Sequence, residues 1–584
     1  MPNLAQWEEL LQEAAALAEQ GDVGAAIESA REAVLHAPQP ADALSILATL
    51  LWRAQRLEEC AETCVQALRV RPLDARIQMA WGVAVLAQGK AIEAEGVLRR
   101  AISLDGNNPG AFHNLALALH RQGRIDETIL SLRKAIELNP ALFPSLELIA
   151  SLLDTKGSAE GVTFHRKAYA ASPDSAEGAL ENARAALVGD NDLEATTQYT
   201  DLALDRNPDF PAALTLRAMV LIRRGLLKEA EADLVRAIEL NPGQSTAYYE
   251  LVYARKVTPS DGPILDQLIK VAADDSAGDQ DRRVANFSLG KAFDDLGRYE
   301  EAMAAYHTAN ALSRKLEGKT FDPAAFRLRT DQMIATFTKD LVQSSDLKVS
   351  DSEAPVFILG MYRSGTTLVE HILSSHSKVK AGEELPFWRL KGKSCFTDTG
   401  ALLRSKAMRL GADYLDQIQQ LAQNKFERVT DKTPDNYLYI GLLHMLFPKA
   451  RFVFCKRHPV DNCLSHYFTY FMSSPAFACD PTNLVIGYRE HERLLAHWQA
   501  VIPGDRLIVV RYEDLVENPE PEIHRLIAFA GLEWEEQCFH PEDNKRAVTT
   551  ASRWQVRQPI YKSSRERWRN YEPYLGPFAD LLEK

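Results

Sequence analysis

Through the first 242 residues, proline recurs with a beat that few folds can satisfy. Pro38, Pro72, Pro140, Pro173, Pro208 and Pro242 each close a helical pattern, and Gly106 holds the empty slot; the spacings are 34, 34, 34, 33, 35 and 34 residues. A second beat runs in step, with Gly21, Gly89, Gly123, Gly157, Gly189 and Gly225 where a helix must turn back on its partner. Proline cannot continue a helix, and glycine relieves a tight turn. Each unit therefore reads as helix–turn–helix. The small and apolar positions agree: Ala218, Ala230, Leu234 and Ala237 in one unit match Ala116, Thr128, Leu132 and Ala135 in another. A lone helix pair cannot bury such a stripe, whereas stacked neighbours can.

This pattern resembles the tetratricopeptide repeat, whose period is 34 residues. The resemblance implies an α-helical solenoid over residues 1–315. About seven units are clear up to Pro242, residues 243–282 form a degraded unit, and 283–315 form one more. Such a stack offers a concave face to a protein partner. Phe112, Tyr248 and Tyr249 are either contacts there or core residues. Residues 316–353 read as a polar helical linker that starts a helix at Asp322-Pro323.

With 584 residues the chain exceeds one hydrophobic core, so several structural units are expected. The formal net charge of −13 argues against general nucleic-acid binding. None of the seven cysteines forms a CxxC pair, which predicts reduced core thiols. No stretch is apolar enough for a membrane span, and the N-terminus lacks a basic and an apolar region. The expectation is a soluble, cytoplasmic protein.

The grammar changes at Ala354. Short β-rich runs at 356–359, 452–454 and 507–510 alternate with helical stretches. This predicts one α/β domain over 354–584, with a central parallel sheet buried on both faces. The first run leads into Gly360-Met361-Tyr362-Arg363-Ser364-Gly365-Thr366-Thr367, then an apolar helical stretch. Strand, glycine turn and helix aim free backbone N–H groups at an anion. A nucleoside triphosphatase needs GxxxxGK[ST]. The glycine spacing fits, but Thr366 stands in the lysine's place. The turn therefore suits a substrate with one 5′-phosphate bearing a transferable group, with Arg363 as its cation.

Other candidates follow the later runs. Arg457 ends one, and Ser465 lies eight residues on; guanidinium and hydroxyl together can grip one phosphate from two sides. Lys432, after a β-like run at 426–430, is either a surface cation or a charge aimed at a reacting group. Glu383 and Glu384 are either helix-start acids or contain a general base. Residues 545–569 carry eight Lys or Arg against one acid, Glu566, either as a solvated face or as a basic loop over a ligand. His458, His466, His491 and His497 form no HExxH, so no metal site is expected.

Tyr362-Arg363-Ser364-Gly365-Thr366-Thr367 followed by Gly382-Glu383-Glu384 is similar to the tyrosylprotein sulfotransferases, and the repeats ahead of it resemble those of bacterial repeat-containing sulfotransferases. The likeness covers roughly residues 354–570. It implies a P-loop-like fold and 3′-phosphoadenosine 5′-phosphosulfate as cosubstrate, its sulfonate passing to an acceptor hydroxyl by single displacement. It further implies that Arg363, Ser364, Gly365, Thr366 and Thr367 hold the 5′-phosphosulfate, while Arg457, Ser465 and Arg567 hold the 3′-phosphate. Tyr512 and Tyr561 contact the nucleotide. Glu384, rather than Glu383, aligns with the base; Lys432, Arg363 and Ser552 stabilise developing charge. Thr469 stands where the family often has a further arginine. The implied acceptor is a peptide tyrosine, with a saccharide or small-molecule hydroxyl as the alternative. The repeats would recruit that acceptor or a separate protein. The rival readings are a non-catalytic scaffold with a nucleotide-binding domain, and a P-loop kinase.

Overall fold

The computed structural model describes residues 4–156, 158–190, 192–318, 320–343, 346–471, 475–544, 546, 559–562 and 564–582. By packing, the chain divides into two compact units, Met1–Arg217 with Asp274–Asp279, and Ala218–Ala273 with Gln280–Lys584.

The first unit is a run of helix pairs. Leu4–Glu19 and Val23–His36 form the first pair, Ala41–Arg53 and Leu57–Val70 the second, and the alternation continues to Ala176–Ala185 and Leu193–Arg206. The helices ending at His36, Val70, Leu138, Ala171 and Arg206 each stop two residues before a beat proline, because proline also disfavours helix in the residue before it. Gly21, Gly89 and Gly123 have φ of 87°, 83° and 74°. Gln55, 34 residues after Gly21, takes the same left-handed conformation with φ 59°. Gly157 lies outside the described residues. Gly189 departs from the expectation of a turn: it sits in the π-helix Ala186–Asp190, where a Cβ would lie 2.6 Å from Val162. Close packing, not a left-handed turn, selects glycine there. Ala116, Thr128, Leu132 and Ala135 are fully buried, as are their counterparts Ala218, Ala230, Leu234 and Ala237 in the second unit.

The second unit begins with repeat helices and ends with a sheet. Among them are α1 (Ser245–Ala254), α2 (Asp279–Asp295) and α3 (Tyr299–Glu317). Tyr248 on α1 is buried, its hydroxyl donating to the Pro242 carbonyl at 3.0 Å, so it is a core residue. The helix Pro323–Thr336 starts at Asp322, whose carboxylate accepts the N–H groups of Ala324 and Ala325 at 2.9 and 3.1 Å. Its far end delivers Met333 and Phe337 into the core of the sheet, Phe337 meeting Trp498 edge-on at 5.7 Å.

Five strands form one parallel sheet: β1 (Pro355–Gly360), β2 (Val379–Ala381), β3 (Arg428–Asp431), β4 (Arg451–Lys456) and β5 (Leu507–Arg511), in the order β2-β3-β1-β4-β5. β1 is central and buried along its whole length. Its side chains split by the period of two. Phe357 and Leu359 join Phe452, Phe454 and Trp498 on one face, while Val356 and Ile358 join Val453, Val510 and Ile523 on the other. All seven cysteines are buried thiols. Among the described residues no helix is long and apolar enough to cross a membrane. Helices α4 (Thr366–Ser374) and α5 (Pro459–Tyr467) follow β1 and β4. The chain leaves β1 in one direction for β2 and later returns on its other side for β4, so a crevice opens at the carboxyl ends of these strands.

Candidate active site

Each strand's carboxyl end presents part of one constellation: the 360–365 turn after β1, Gly382–Glu384 after β2, Lys432 after β3, Arg457 after β4 and Tyr512 after β5. The β1 turn is shaped by backbone that a side chain would block. At Gly360, φ is 140° and a Cβ would lie 2.4 Å from the Cys455 carbonyl oxygen; at Gly365, φ is 100° and a Cβ would lie 2.9 Å from the Tyr512 ring. Arg363 between them is also left-handed, with φ 68°. Ser364 is 1% exposed, and its Oγ has no hydrogen-bond partner among the described residues. A buried hydroxyl without a partner at the opening of α4, where the first helical N–H groups are also unsatisfied, marks a cradle for an anion.

Two arginines close this cradle. The Arg363 Nε donates to Ser465 Oγ at 3.3 Å from the start of the last turn of α5. Arg457 donates from Nη1 to the Arg363 carbonyl at 3.4 Å and from Nη2 to the Ser564 carbonyl at 2.7 Å, and its guanidinium lies 4.9 Å over the Tyr512 ring. Its buried Nε has no partner among the described residues. Burial pushes the Arg363 guanidinium below its ordinary value, and the like charge of Arg457 adds to that. Tyr561 lies within electrostatic reach of both Arg363 and Tyr512. Two cations held together in a desolvated pocket are the electrostatic complement of a dianion. Thr469 donates from Oγ1 to the Ser465 carbonyl at 2.7 Å, ending α5.

Across the crevice, Lys432 donates to Glu384 Oε1 at 2.8 Å. Lys432 is 1% exposed, so it is not a surface cation, whereas the Glu384 side chain keeps 40% of its surface. The turn holding Lys432 is fixed from below by Asp431, which accepts from Thr433 at 2.6 Å, Tyr414 at 2.8 Å and Asn436 at 3.1 Å. Glu383 and Glu384 diverge. Glu383, with φ 57°, faces Arg546 at 3.8 Å, and its N–H donates to Glu370 Oε1 at 3.1 Å. The next helix, Phe387–Lys391, is capped by Pro386, so neither acid starts it.

Arg567 sits apart from Arg457 in its contacts, paired with the Asp294 carboxylate of α2. Ser552 lies outside the described residues. Three further residues support the site. Glu370 is buried in α4, accepts from Thr430 Oγ1 at 2.9 Å and pairs with Arg546 at 3.1 Å. Asn462 donates to the Tyr362 carbonyl at 3.1 Å, and Tyr362 donates to Asp435 at 2.7 Å. Glu370 left one readable trace, a carboxylate in the apolar run of α4; Asn462 and Asp435 left none. Among the described residues no three His, Cys, Asp or Glu side chains gather as a metal-ligating group.

Residues 355–536 match the sulfotransferase family, and residues 11–64, 109–142 and 285–315 match tetratricopeptide repeats. An uncharacterized protein of Aquifex aeolicus is 32% identical over 407 residues, covering 66% of this chain and 52% of that protein. The nodulation protein NoeE of Sinorhizobium fredii is 30% identical over 210 residues, covering 30% of this chain and 50% of NoeE. Protein-tyrosine sulfotransferase 1 of Danio rerio is 26% identical over 236 residues, covering 37% of this chain and 61% of the fish protein. The chain thus spans about half the length of the first two of these relatives. All five strands and the cradle lie within the segment that matches the sulfotransferase family, and tetratricopeptide-repeat matches stand ahead of it in the same chain.

Proposed function

We propose that the chain transfers the sulfonate of 3′-phosphoadenosine 5′-phosphosulfate to an acceptor hydroxyl. The observation that carries this reading is the pairing of an anion cradle lacking the P-loop lysine with a buried lysine bonded to an open carboxylate across the same crevice. The residues present fit such a donor. Ser364 offers an unsatisfied buried hydroxyl, Gly360 and Gly365 keep the backbone open, and Arg363 and Arg457 supply charge. Arg457, Ser465 and Arg567 are assigned to the 3′-phosphate, and Tyr512 and Tyr561 to the nucleotide.

In the reaction the acceptor oxygen forms a bond to sulfur while the bond from sulfur to the 5′-phosphate oxygen breaks. Glu384, half open to the crevice, takes the acceptor's proton. Lys432, Arg363 and Ser552 meet the charge that grows on the sulfonate and the leaving phosphate, an electrostatic task for preorganised donors. Positioning then supplies much of the remainder, as in phosphoryl transfer. Similarity to protein-tyrosine sulfotransferases supports a peptide tyrosine as acceptor, and the repeats are assigned to recruiting it.

The test is transfer of radiolabelled sulfonate from the donor into a fractionated lysate and into tyrosine-containing peptides. Glu384→Gln should lower transfer by about 10²–10⁴-fold while binding of 3′,5′-bisphosphoadenosine stays intact. Full activity in that variant removes Glu384 from the role. No transfer to any acceptor by the wild type, with nucleotide binding retained, favours a non-catalytic scaffold.

A further inference from the structure

The segment after Ser465 is held from the repeat side of the second unit. Asn310 on α3 donates from Nδ2 to the Tyr467 carbonyl at 2.9 Å, and His307 meets the Tyr467 hydroxyl at 2.8 Å. The Tyr306 ring stacks on Phe468 at 4.1 Å and 11°, and Tyr253 on α1 donates to the Phe468 carbonyl at 3.3 Å. From α2, Gln280 donates to the Tyr470 hydroxyl at 3.0 Å. These contacts fix the end of the helix that carries Ser465.

The chain's late segment is held in the same way. Asp294, 1% exposed in its side chain, pairs with Arg567 through one carboxylate oxygen and accepts from the Tyr571 hydroxyl at 2.5 Å through the other. Tyr299 packs edge-on against Tyr571 at 5.1 Å, and the backbone N–H of Trp568 donates to Asp461 of α5 at 2.8 Å. Arg567 keeps 40% of its side-chain surface. A guanidinium has five donors in a fixed fork, so a carboxylate on one edge leaves another edge for a phosphate. A carboxylate counter-ion also holds in place a cation that would otherwise swing to solvent.

We propose that Asp294 is a positioning residue for the donor's 3′-phosphate: by fixing one edge of Arg567, it makes the last repeat a working part of the donor site. The inference rests on the assignment of Arg567 and Ser465 to that phosphate. The repeat helices and the sheet lie in one packed unit, and the role makes the last repeat more than a recruiting arm.

Calorimetry on the full chain tests it, with two ligands that differ only in the 3′-phosphate: 3′,5′-bisphosphoadenosine and adenosine 5′-monophosphate. Asp294→Asn should weaken the bisphosphate at least about tenfold and change the monophosphate by less than about twofold. Tyr571→Phe, which removes only the second hydrogen bond to Asp294, should show the same selectivity with a smaller loss; it carries the test alone should Asp294→Asn fail to fold. Unchanged bisphosphate affinity overturns the proposal. So does tighter binding, which would make Asp294 a competitor, and so does an equal loss for both ligands, which would make it structural. A wild type indifferent to the 3′-phosphate overturns the donor reading itself, and this inference with it.

Discussion

At the scale of residues, the site is defined by which charges are buried and which remain open. Lys432 is sealed and Glu384 is not, so the carboxylate can meet an incoming hydroxyl while the ammonium stays fixed. Glu383, its sequence neighbour, is turned to Arg546 by a left-handed backbone. Adjacent acids of identical type thus have separate surroundings, which no pattern in Gly382-Glu383-Glu384 discloses. The turn holding Arg363 was legible because its motif is local; the partnership of Arg567 with Asp294 was not, since one residue lies in the α/β domain and the other in a repeat helix. Burial also sets the acid response. His444 is pushed down to about 4 and His466 to about 3, mainly by burial, with Arg363 adding to the shift at His466. The unfolded chain therefore takes up these protons first as pH falls below about 6.5, and the stability held above that value is lost on the way to pH 4. For His444 the loss is about 2 kcal/mol by pH 5. Urea unfolding of His444→Gln should accordingly lose about 2 kcal/mol less than wild type between pH 7 and pH 5; identical losses would contradict this.

At the scale of elements, the turn between β1 and α4 holds three residues with positive φ, Gly360, Arg363 and Gly365. Gly360 combines φ 140° with a Cβ position 2.4 Å from the Cys455 carbonyl oxygen, so Gly360→Ala should cost about 2–4 kcal/mol of stability. A denaturation midpoint unmoved by that substitution would refute the geometry. β1, β4 and β5 were legible as continuous apolar runs; β1 and β4 are buried on both faces and need no alternation, whereas β5 lies at the sheet's edge with only Leu507 and Val510 buried. β2 escaped because its three residues, Val379–Ala381, lie at the sheet's edge with only Val379 buried. The helix after Asp322 was legible through its cap, but the destination of Phe337 in the sheet's core was not, because capping sets where a helix starts and not what it packs on.

At the scale of the whole molecule, the repeat half was legible because proline and glycine punctuate it locally, while the sheet order depends on distant pairings such as Phe357 with Phe452, and the hold of the last repeat on α5 depends on contacts across more than 150 residues of chain. Those contacts have a kinetic consequence. Asn310→Ala removes the donor to the Tyr467 carbonyl and should raise the KM for the donor more than it lowers kcat, as expected for lost binding of ground and transition states alike; a pure kcat effect would contradict it. The proposed function requires the crevice at the strand ends to accept a nucleotide carrying a 3′-phosphate. It is tested most directly by measuring the wild-type chain's affinity for 3′,5′-bisphosphoadenosine, adenosine 5′-monophosphate and ATP side by side. Two or three charge-assisted hydrogen bonds to the extra phosphate predict that the bisphosphate binds at least about 100-fold more tightly than the monophosphate. Equal affinity for the two, or a preference for ATP, would contradict the account.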